Sequence, residues 1–422
     1  MRPDDFAPER RRYLVHATQE PDGLEGPDGY WAFVPPPLSS ELVLTPGLIS
    51  DLSAADRALG LLAGVGMRLP NPYLLITPFL RREAVLSSRI EGTQASLSEV
   101  IVFEASPAAA APAAGAAGSP RSSAEVDDVR EVVNYVKALE FGVSPERAMP
   151  VGMDLMRELH RTLMTGVRGG EWTPGSFRTA QNWLGPAGIA LEDAMYVPPP
   201  PMHMLRSLRA LERYIRDAGE LPPLLRLAQI HYQFEAIHPF FDGNGRIGRV
   251  LVSLLLQEWG LLPQPLLYLS AFFERRRREY YELLLAVSRD GAWERWLRFF
   301  LTGVSEQAMD AVDRSSRLIG LRDDYVRRLQ QARASSLALK LVDDLFVHPA
   351  TSINEAAHSL GVTRRAAQMN VDKLIAAGIL TETTGRKRGR VFLAPEVVRL
   401  LEEELPRSAG RPDVLSPAAP LA

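Results

Sequence analysis

The segment HPFFDGNGRIGR, residues 238–249, concentrates groups that could do chemistry in one short stretch of the chain. It contains an imidazole, a carboxylate, two guanidinium groups and three glycines, and the apolar run VLVSLLLQEWG follows it directly. A tight turn at residues 243–245 that leads into a helix would make several backbone N–H groups converge at the positive end of the helix dipole. The segment therefore predicts a cradle for an anion.

The charged side chains around this cradle are of the types that phosphate chemistry uses. Arg246 and Arg249 are three residues apart on the predicted helix, so both guanidinium groups can grip a polyphosphate. The carboxylate of Asp242 could hold Mg²⁺, an ion that proteins usually bind through one or two carboxylates plus substrate phosphates. The imidazole of His238 could take a proton from an incoming hydroxyl. Together these groups predict phosphoryl or nucleotidyl transfer.

Two other interpretations of the segment are open. GNGRIG also imitates the dinucleotide-binding pattern GxGxxG, but LLRLAQIHYQFEAI before it has the periodicity of a helix, where that pattern requires a strand. His238 could also serve as a capping or core residue, with the two arginines engaged only in salt bridges. The coincidence of so many reactive groups in one segment favours the chemical interpretation.

An all-helical body must position these groups, because most of the chain carries apolar residues three and four positions apart. Prolines and glycines interrupt this pattern at WTPGSFRTAQNWLGPAGIALEDAMYVPPPPM, which suits a hairpin or flap better than a helix. The expected order is an extended N-terminal arm (1–50), a helical region (51–104), a low-complexity loop (105–124), a catalytic core (125–310), a linking helix (311–335), a helix-turn-helix module (336–400) and a disordered tail (401–422).

The composition bounds the class of protein. With 422 residues, of which 46% are apolar, the chain is long enough for two or three globular units. It contains no cysteine, which excludes disulfides, thiolate nucleophiles and cysteine-ligated metals. The net charge of -3 gives no overall attraction to nucleic acid or to a membrane. Without a long apolar run or a secretory signal at the start, we expect a soluble cytoplasmic protein that does not contact a membrane.

The C-terminal module, residues 336–400, predicts two helices joined by a GVT turn, followed by a basic tip between two short strand-like runs. That order resembles a winged helix-turn-helix. The recognition helix would begin with Thr363, Arg364, Arg365 and Gln368, and the wing would carry Arg386, Lys387, Arg388 and Arg390. Such charges suit the phosphates of DNA. Winged helices also dock proteins or form dimers, so DNA binding, protein docking and a homodimer all stay open.

The whole segment 238–249 matches the Fic motif, HxFx(D/E)GNGRxxR, at every specified position. FRTAQNWLG with AMYVPPPP resembles the flap of that family, and LPNPYLLITPFLRREAVLSSRIEGTQASLSEV resembles its N-terminal region. The resemblance implies an all-α fold in which a Fic helical core carries a small β-hairpin flap, with the winged-helix domain (α+β) appended. It also implies a protein adenylyltransferase, which transfers AMP from ATP to a Ser, Thr or Tyr hydroxyl of a target protein, or of itself, and releases pyrophosphate.

The resemblance also assigns roles to residues. His238 would be the general base and Asp242 the Mg²⁺ ligand, while the other nucleotide-binding positions would be Phe241, Gly243, Asn244, Gly245, Arg246 and Arg249. The flap residues Ala194, Met195, Tyr196 and Val197 would align the backbone of the target by strand-like hydrogen bonds. Tyr280 and Tyr281 would border the adenine, although packing on a helix face explains them equally well. Ser288 stands where some members carry asparagine.

SSRIEG, residues 87–92, resembles the inhibitory signature of the family, (S/T)xxxE(G/N). Ser87 and Glu91 are four residues apart and so share one helical face. The resemblance implies that Glu91 pairs with Arg249 and withholds this arginine from the γ-phosphate. Two other functions stay open: a nucleotide-sensing DNA-binding regulator, and an enzyme that uses Glu91 to remove AMP from a modified target.

Overall fold

The computed structural model describes residues 1–19, 25–68, 71–105, 123–168, 173–186, 188–217, 219–386 and 388–403. Most of these residues lie in helices, so the mainly helical class predicted from the periodicity is confirmed. Most of the predicted loop, all but the first few residues of the predicted tail, and Lys387 of the predicted wing lie outside these ranges. None of the helices within them is long and apolar enough to cross a membrane.

The helices are bounded as follows: α1 Pro46–Arg68, α2 Tyr73–Ile90, α3 Leu97–Ala105, α4 Ser123–Val143, α5 Met153–Met164, α6 Pro201–Arg216, α7 Pro223–Ile237, α8 Asn244–Glu258, α9 Ser270–Arg275, α10 Arg277–Asp290, α11 Trp293–Gln331, α12 Ser336–Val347, α13 Ile353–Leu360, α14 Arg364–Ala376 and α15 Pro395–Glu402. The strands are β1 Leu14–Gln19, β2 Glu25–Phe33, β3 Ala350–Ser352, β4 Thr381–Glu382 and β5 Val391–Leu393.

Helices α7 and α8 form the centre of the main body, and the candidate segment 238–249 joins them. Nearly every residue of α7 is buried, because α6, α8, α10 and α11 pack around it. Helix α8 packs against α2, α4, α5 and α7. Gly248 allows the close crossing of α7 and α8, since a Cβ at this position would collide with the Glu235 carboxylate and stand 3.2 Å from the Phe234 ring. The site segment is thus fixed at both ends.

Helix α11 crosses one predicted boundary. We expect the catalytic core to end at residue 310 and a linking helix to follow, and a single continuous helix of 39 residues joins the end of the first to the second. The division into two domains at this point stays a prediction. No proline interrupts this stretch, and its apolar stripe continues across the predicted boundary. Helix α11 packs on α1, α7, α9 and α10 and then continues to α12 and α15 of the C-terminal module.

The N-terminal arm is more regular than the extended segment that we expected. Strands β1 and β2 pair antiparallel, with Leu14 opposite Phe33. The Phe6 ring stacks on the Phe33 ring with centroids 5.5 Å apart, and the Phe33 N–H donates to the carbonyl of Val197 (2.9 Å). The arm therefore packs against the segment predicted to be the flap.

The C-terminal module follows the order α12, β3, α13, α14, β4, β5 and α15, and its antiparallel sheet has the order β3-β5-β4. Ser352 and Glu355 form a capping box at the start of α13, and Gly361 ends this helix with a left-handed φ of 66°. The order agrees with a winged helix-turn-helix, which stays an interpretation of this module. Two hydrogen bonds from Arg328 to Glu396 fix α15 to α11.

Candidate active site

The loop between α7 and α8 has a constrained backbone. His238 ends α7 in the left-handed conformation, with φ 50° and ψ 62°, and Gly243 precedes α8 with φ 78°. Left-handed φ values are unusual for residues other than glycine, so the position of His238 stores strain of the kind found at functional sites. The Asn244 side chain accepts a bond from the Phe240 N–H (2.9 Å) and donates one to the Phe240 carbonyl (2.8 Å). These two bonds close the loop and fix the start of α8.

His238 has the protonation state and tautomer of a base. Its Nδ1 lies 3.3 Å from the carbonyl oxygen of Glu235, a contact in which Nδ1 carries the proton and donates. Burial, together with the nearby charge of Arg178, lowers the pKa of His238 to about 4. The ring is therefore neutral near pH 7, and the lone pair on Nε2 is available to accept a proton.

Arg246 is buried beside the cradle and held from α4. Its Nη1 donates to the Glu131 carboxylate (3.3 Å), and its Nη2 lies 3.6 Å from Asp242 Oδ1. Glu131 also receives a bond from Arg168 (3.1 Å). The guanidinium is thus oriented by fixed carboxylates on two sides, as a group that contacts phosphate must be.

Arg249 is almost fully buried, and its charged partner is Glu91. Arg249 Nη2 donates to Glu91 Oε1 (2.6 Å) and to the Ser87 carbonyl (3.0 Å), while Nε donates to Ser87 Oγ (2.7 Å). Burial alone would raise the pKa of Glu91, but the charge of Arg249, its hydrogen bond and the nearby Arg246 and His238 together outweigh burial, so the pKa of Glu91 is lowered. Glu91 therefore carries its negative charge at neutral pH.

Glu91 places this charge directly on the glycine cradle. A Cβ added to Gly245 would collide with Glu91 Oε1 and stand 2.9 Å from Arg249 Nη1. Arg249 Nη1 is buried and has no hydrogen-bond partner among the described residues. Because a buried donor without a partner is costly, this nitrogen indicates a site that takes a further acceptor, such as an anion.

Asp242 lies at the solvent-exposed edge of the glycine cradle, where its side chain is 54% exposed. Its Oδ1 accepts a hydrogen bond from the Gly243 N–H (2.6 Å). Within the described ranges, no group of three or more His, Asp or Glu side chains could hold a metal ion. A single exposed carboxylate still fits Mg²⁺, which commonly completes its coordination with phosphates and water. The donor set therefore fits a metal that arrives with a nucleotide.

In its described residues, the predicted flap forms an antiparallel β-bridge. Leu184 and Tyr196 form this bridge, and the N–H of Leu184 donates to the Tyr196 carbonyl (2.8 Å). The carbonyl of Met195 accepts from Arg289 (3.1 Å), and that of Val197 accepts from Phe33. Ala194, Tyr196 and Val197 are buried, and Met195 is exposed. Three flap carbonyls are thus engaged within the protein, so the alignment of a target by this flap stays a prediction.

The two predicted adenine neighbours differ from each other. Tyr280 is buried, and its hydroxyl lies 2.9 Å from His231 Nε2, a contact that serves packing between α10 and α7. Tyr281 is 42% exposed and can still meet a ligand. Ser288 is buried and shares a hydrogen bond with the Tyr232 hydroxyl (2.9 Å), and Phe241 is half-buried.

Residues outside the motif fix the loop between α7 and α8, and their positions in the sequence did not indicate this role. Arg178 Nε donates to the His238 carbonyl (2.8 Å), and the Asn182 amide donates to the Phe240 carbonyl (2.9 Å). The His160 ring stacks on Phe240 at 3.9 Å, and its Nε2 lies 3.1 Å from the Asp242 carbonyl. Arg178 and Asn182 lie in the stretch FRTAQNWLG, which carries part of the family resemblance. This resemblance is the signal that could have indicated these two residues.

Comparisons with known proteins agree with this architecture. Residues 49–144 match the family model described as Fic/DOC family N-terminal, and residues 150–256 match the one described as Fic/DOC family. The chain is a Fic domain protein, and the family recognised from the sequence is confirmed.

Similar proteins cover only parts of the chain. A protein adenylyltransferase Fic of Drosophila ananassae is 26% identical over 188 residues, 44% of this chain and 34% of that protein. A probable protein adenylyltransferase of Aquifex aeolicus is 36% identical over 99 residues, 24% of this chain and 28% of that protein. The chain thus spans about a third of the length of these curated relatives.

The solved structure of a Fic family protein from Desulfovibrio desulfuricans aligns with a TM-score of 0.52. The alignment covers 85% of this chain and 98% of that chain at 18% identity. At this identity the similarity concerns the fold alone.

Proposed function

We propose that the protein is an adenylyltransferase that transfers AMP from ATP to a hydroxyl side chain of a protein. The observation that carries this proposal is the position of Glu91. Its carboxylate lies against Gly245 at the start of α8 and binds Arg249, so an anion already occupies the cradle predicted from the motif. The names of the curated relatives support the same reaction.

The reaction begins with His238, whose Nε2 takes the proton of the acceptor hydroxyl. The hydroxyl oxygen forms a bond to the α-phosphorus, and the bond from this phosphorus to the bridging oxygen of the β-phosphate breaks. Pyrophosphate leaves with the electron pair of that bond. Arg246, Arg249 and the N–H groups of Asn244 and Gly245 stabilise the phosphate charge during transfer, while the N–H of Gly243 is engaged by Asp242. Asp242 would hold Mg²⁺, which would supply charge neutralisation at the phosphates.

In the resting protein, Glu91 acts as a brake on this reaction. While Arg249 Nη2 donates to Glu91, the carboxylate takes both this donor and the space beside Gly245 that the γ-phosphate would need. A nucleotide must therefore either displace the carboxylate or bind in a pose unsuited to in-line attack. Inhibition by Glu91 is thus a competition between two anions for one buried guanidinium.

The test uses ATP labelled at either the α or the γ position, with the wild type and the variants Glu91→Gly and His238→Ala. We expect label from the α position alone to remain on protein, with more on Glu91→Gly than on the wild type and none on His238→Ala. His358→Ala is the matched control, because this imidazole is exposed on α13. Retained γ label would indicate a kinase, and no label on any protein would contradict the proposal.

The direction of the reaction can be tested with the same proteins. Self-labelled Glu91→Gly protein is freed of ATP and mixed with unlabelled wild type. A stable label supports AMP transfer as the activity of the wild type. Release of AMP that depends on Glu91 would instead support the alternative in which this carboxylate positions water for AMP removal.

We also propose that the C-terminal module binds DNA, as a second function. Supporting this, Arg364 and Arg365 are exposed at the start of α14, and Arg390 donates to Gln368 on the same helix (3.3 Å), so these basic groups share one surface. A salt-sensitive gel shift that the double variant Arg364→Glu/Arg365→Glu loses would support it. The control is Arg399→Glu on α15, and an equal loss with this control would contradict the proposal.

A further inference from the structure

Helix α2 contacts Arg249 at two separate places. One is the carboxylate of Glu91, on the side of the guanidinium that faces the cradle. The other is Ser87, whose hydroxyl and carbonyl accept bonds from Nε and Nη2. Of the guanidinium nitrogens, Nη1 lies nearest to Gly245 and is the one without a partner in the described structure. Ser87 therefore fixes the plane of the Arg249 guanidinium. The remaining N–H donors of this guanidinium point to the anion site.

Ser87 begins a series of side-chain contacts that ends at a buried carboxylate. The Ser87 hydroxyl accepts from Arg249 Nε (2.7 Å), and the Tyr135 hydroxyl donates to Glu83 Oε1 (3.2 Å). Between these two hydrogen bonds, the Ser87 side chain interacts electrostatically with Tyr135. The series thus runs from Arg249 through Ser87 and Tyr135 to Glu83.

Glu83 is fixed independently of the site. It is buried, and it accepts hydrogen bonds from both the N–H (3.3 Å) and the hydroxyl of Ser270 at the start of α9. Burial raises the pKa of Glu83 to about 7, and the charge of Arg249 acts in the opposite direction, so the two groups interact electrostatically. The far end of this series is therefore tied to a fourth helix, α9.

The two contacts of α2 differ in how easily they can be broken. Ser87 and Glu83 lie in the body of the helix and are buried, whereas Glu91 follows its last residue. The next residue, Gly92, has φ 104° and open space around its Cα. Glu91 can thus withdraw through a change in the last turn of α2, while Ser87 and Glu83 keep their places.

We propose that Ser87, Tyr135 and Glu83 are positioning residues for Arg249, which hold its guanidinium in place for the triphosphate after Glu91 withdraws. This inference rests on the proposed function and adds a second role to α2. The same helix would both inhibit the enzyme, through Glu91, and build its nucleotide site, through Ser87. A buried guanidinium that loses its carboxylate needs such contacts, because without them it would be free to turn away before ATP arrives.

The proposal and a brake-only role of Ser87 predict opposite results. If Ser87 only assists inhibition, its removal should activate the wild type and leave Glu91→Gly unaffected. If Ser87 positions Arg249, its removal should weaken ATP binding in the Glu91→Gly background. Loss of a hydrogen bond to a charged group typically changes an equilibrium by roughly tenfold or more.

The experiment compares Glu91→Gly with three double variants that add Ser87→Ala, Tyr135→Phe or Ser88→Ala. Ser88 is the matched control, because its hydroxyl is equally buried on α2 but has no hydrogen-bond partner within the described part of the chain. Calorimetry gives the Kd for ATP, α-labelled ATP gives KM and kcat, and thermal unfolding monitors the fold.

We expect Ser87→Ala to raise the Kd and KM for ATP by about tenfold, and Tyr135→Phe to raise them by roughly threefold. The change in kcat should be smaller, and Ser88→Ala should behave as Glu91→Gly alone. Unchanged ATP binding in the Ser87→Ala double variant overturns the proposal, as does an equal loss with Ser88→Ala. If Glu91→Gly binds ATP but transfers no AMP, the proposed function fails, while the Kd values still decide this inference.

Discussion

Replacement of Glu91 by glutamine separates charge from shape at the contact with Arg249. Glutamine has nearly the same size as glutamate, so it should still cover Gly245. Its amide oxygen can still accept the hydrogen bond that Arg249 Nη2 donates to Glu91 (2.6 Å). The variant therefore removes the negative charge while it keeps the cradle occupied. Glu91→Gly removes both the negative charge and the side chain that covers Gly245. Comparison of the two variants therefore shows whether charge or steric blocking inhibits the enzyme.

The magnitude follows from the type of bond. A hydrogen bond from Arg249 to glutamine keeps one charged partner, so Glu91→Gln loses only the attraction between the two charges. The Glu91 side chain is 32% exposed, and a solvent-screened ion pair of this kind contributes about 1 kcal/mol. That free energy corresponds to about a fivefold larger fraction of molecules in which Arg249 is free for ATP. We expect Glu91→Gln to label itself about fivefold faster than the wild type, and Glu91→Gly to be faster still.

The assay measures initial rates of self-labelling with α-labelled ATP, at concentrations below KM. Glu146→Gln, at an exposed position, is the control for an ordinary loss of one carboxylate. Equal rates for Glu91→Gln and the wild type would refute the argument, because shape alone would then block the site. Equal rates for Glu91→Gln and Glu91→Gly would also refute it, since the remaining hydrogen bond would then contribute nothing.

Three further predictions follow from the site. In the Glu91→Gly protein, kcat/KM for ATP should rise with pH with an apparent pKa near 4 rather than 6.5. The reason is that burial lowers the pKa of His238 to about 4. A rise centred at pH 6.5 would contradict this prediction. Gly245→Ala should weaken ATP binding in calorimetry even in that background, because its Cβ would stand 2.9 Å from Arg249 Nη1 and would displace this nitrogen from the anion site. Burial lowers the pKa of His160 to about 4 and that of His231 to about 3, so the unfolded chain binds more protons between these values and 6.5. Each ring should therefore contribute less to stability as the pH is lowered from 6.5 to 4, while the raised pKa values of Glu83 and Glu235 act in the opposite direction. His231→Phe should accordingly lower the melting temperature less at about pH 4 than at about pH 7, and an equal loss at both values would show that this ring is not buried neutral.

The local part of the site could be predicted because its chemistry is encoded at short spacing. The turn before α8, the separation of Arg246 and Arg249, and the shared face of Ser87 and Glu91 all follow from helical periodicity. The pairing of Glu91 with Arg249 joins distant parts of the chain, and here only the family resemblance provided the expectation.

The groups that support the site could not be predicted in this way. His160, Arg178 and Glu131 come from three different segments, and each looks in the sequence like an ordinary residue of an amphipathic helix or a loop. Their roles depend on the packing of those segments around the loop between α7 and α8. The same is true of Tyr135, whose hydroxyl reaches α2 only because α4 crosses it.

Two elements of the fold also differ from local expectation. The proline- and glycine-rich composition of the N-terminal arm indicated an extended segment, but pairing between β1 and β2 and the stacking of Phe6 on Phe33 produce a hairpin. Composition reports local preference, whereas strand pairing depends on tertiary contacts. The flap is a second case, because Phe33 of the arm donates to Val197 beside the bridge of Leu184 and Tyr196, a contact that local preference does not indicate.

The length of α11 determines where this protein can be truncated without loss of its fold. A helix of 39 residues is about 58 Å long, and its distal part still carries buried side chains, including Leu318, Tyr325 and Leu329. A chain shortened at residue 310, where we expected the catalytic core to end, would stop in the middle of α11. The apolar side chains that pack against the missing part of the helix would then be exposed to solvent. An isolated catalytic fragment should instead extend to about residue 331 and will then need polar substitutions on the stripe that α12 and α15 normally shield.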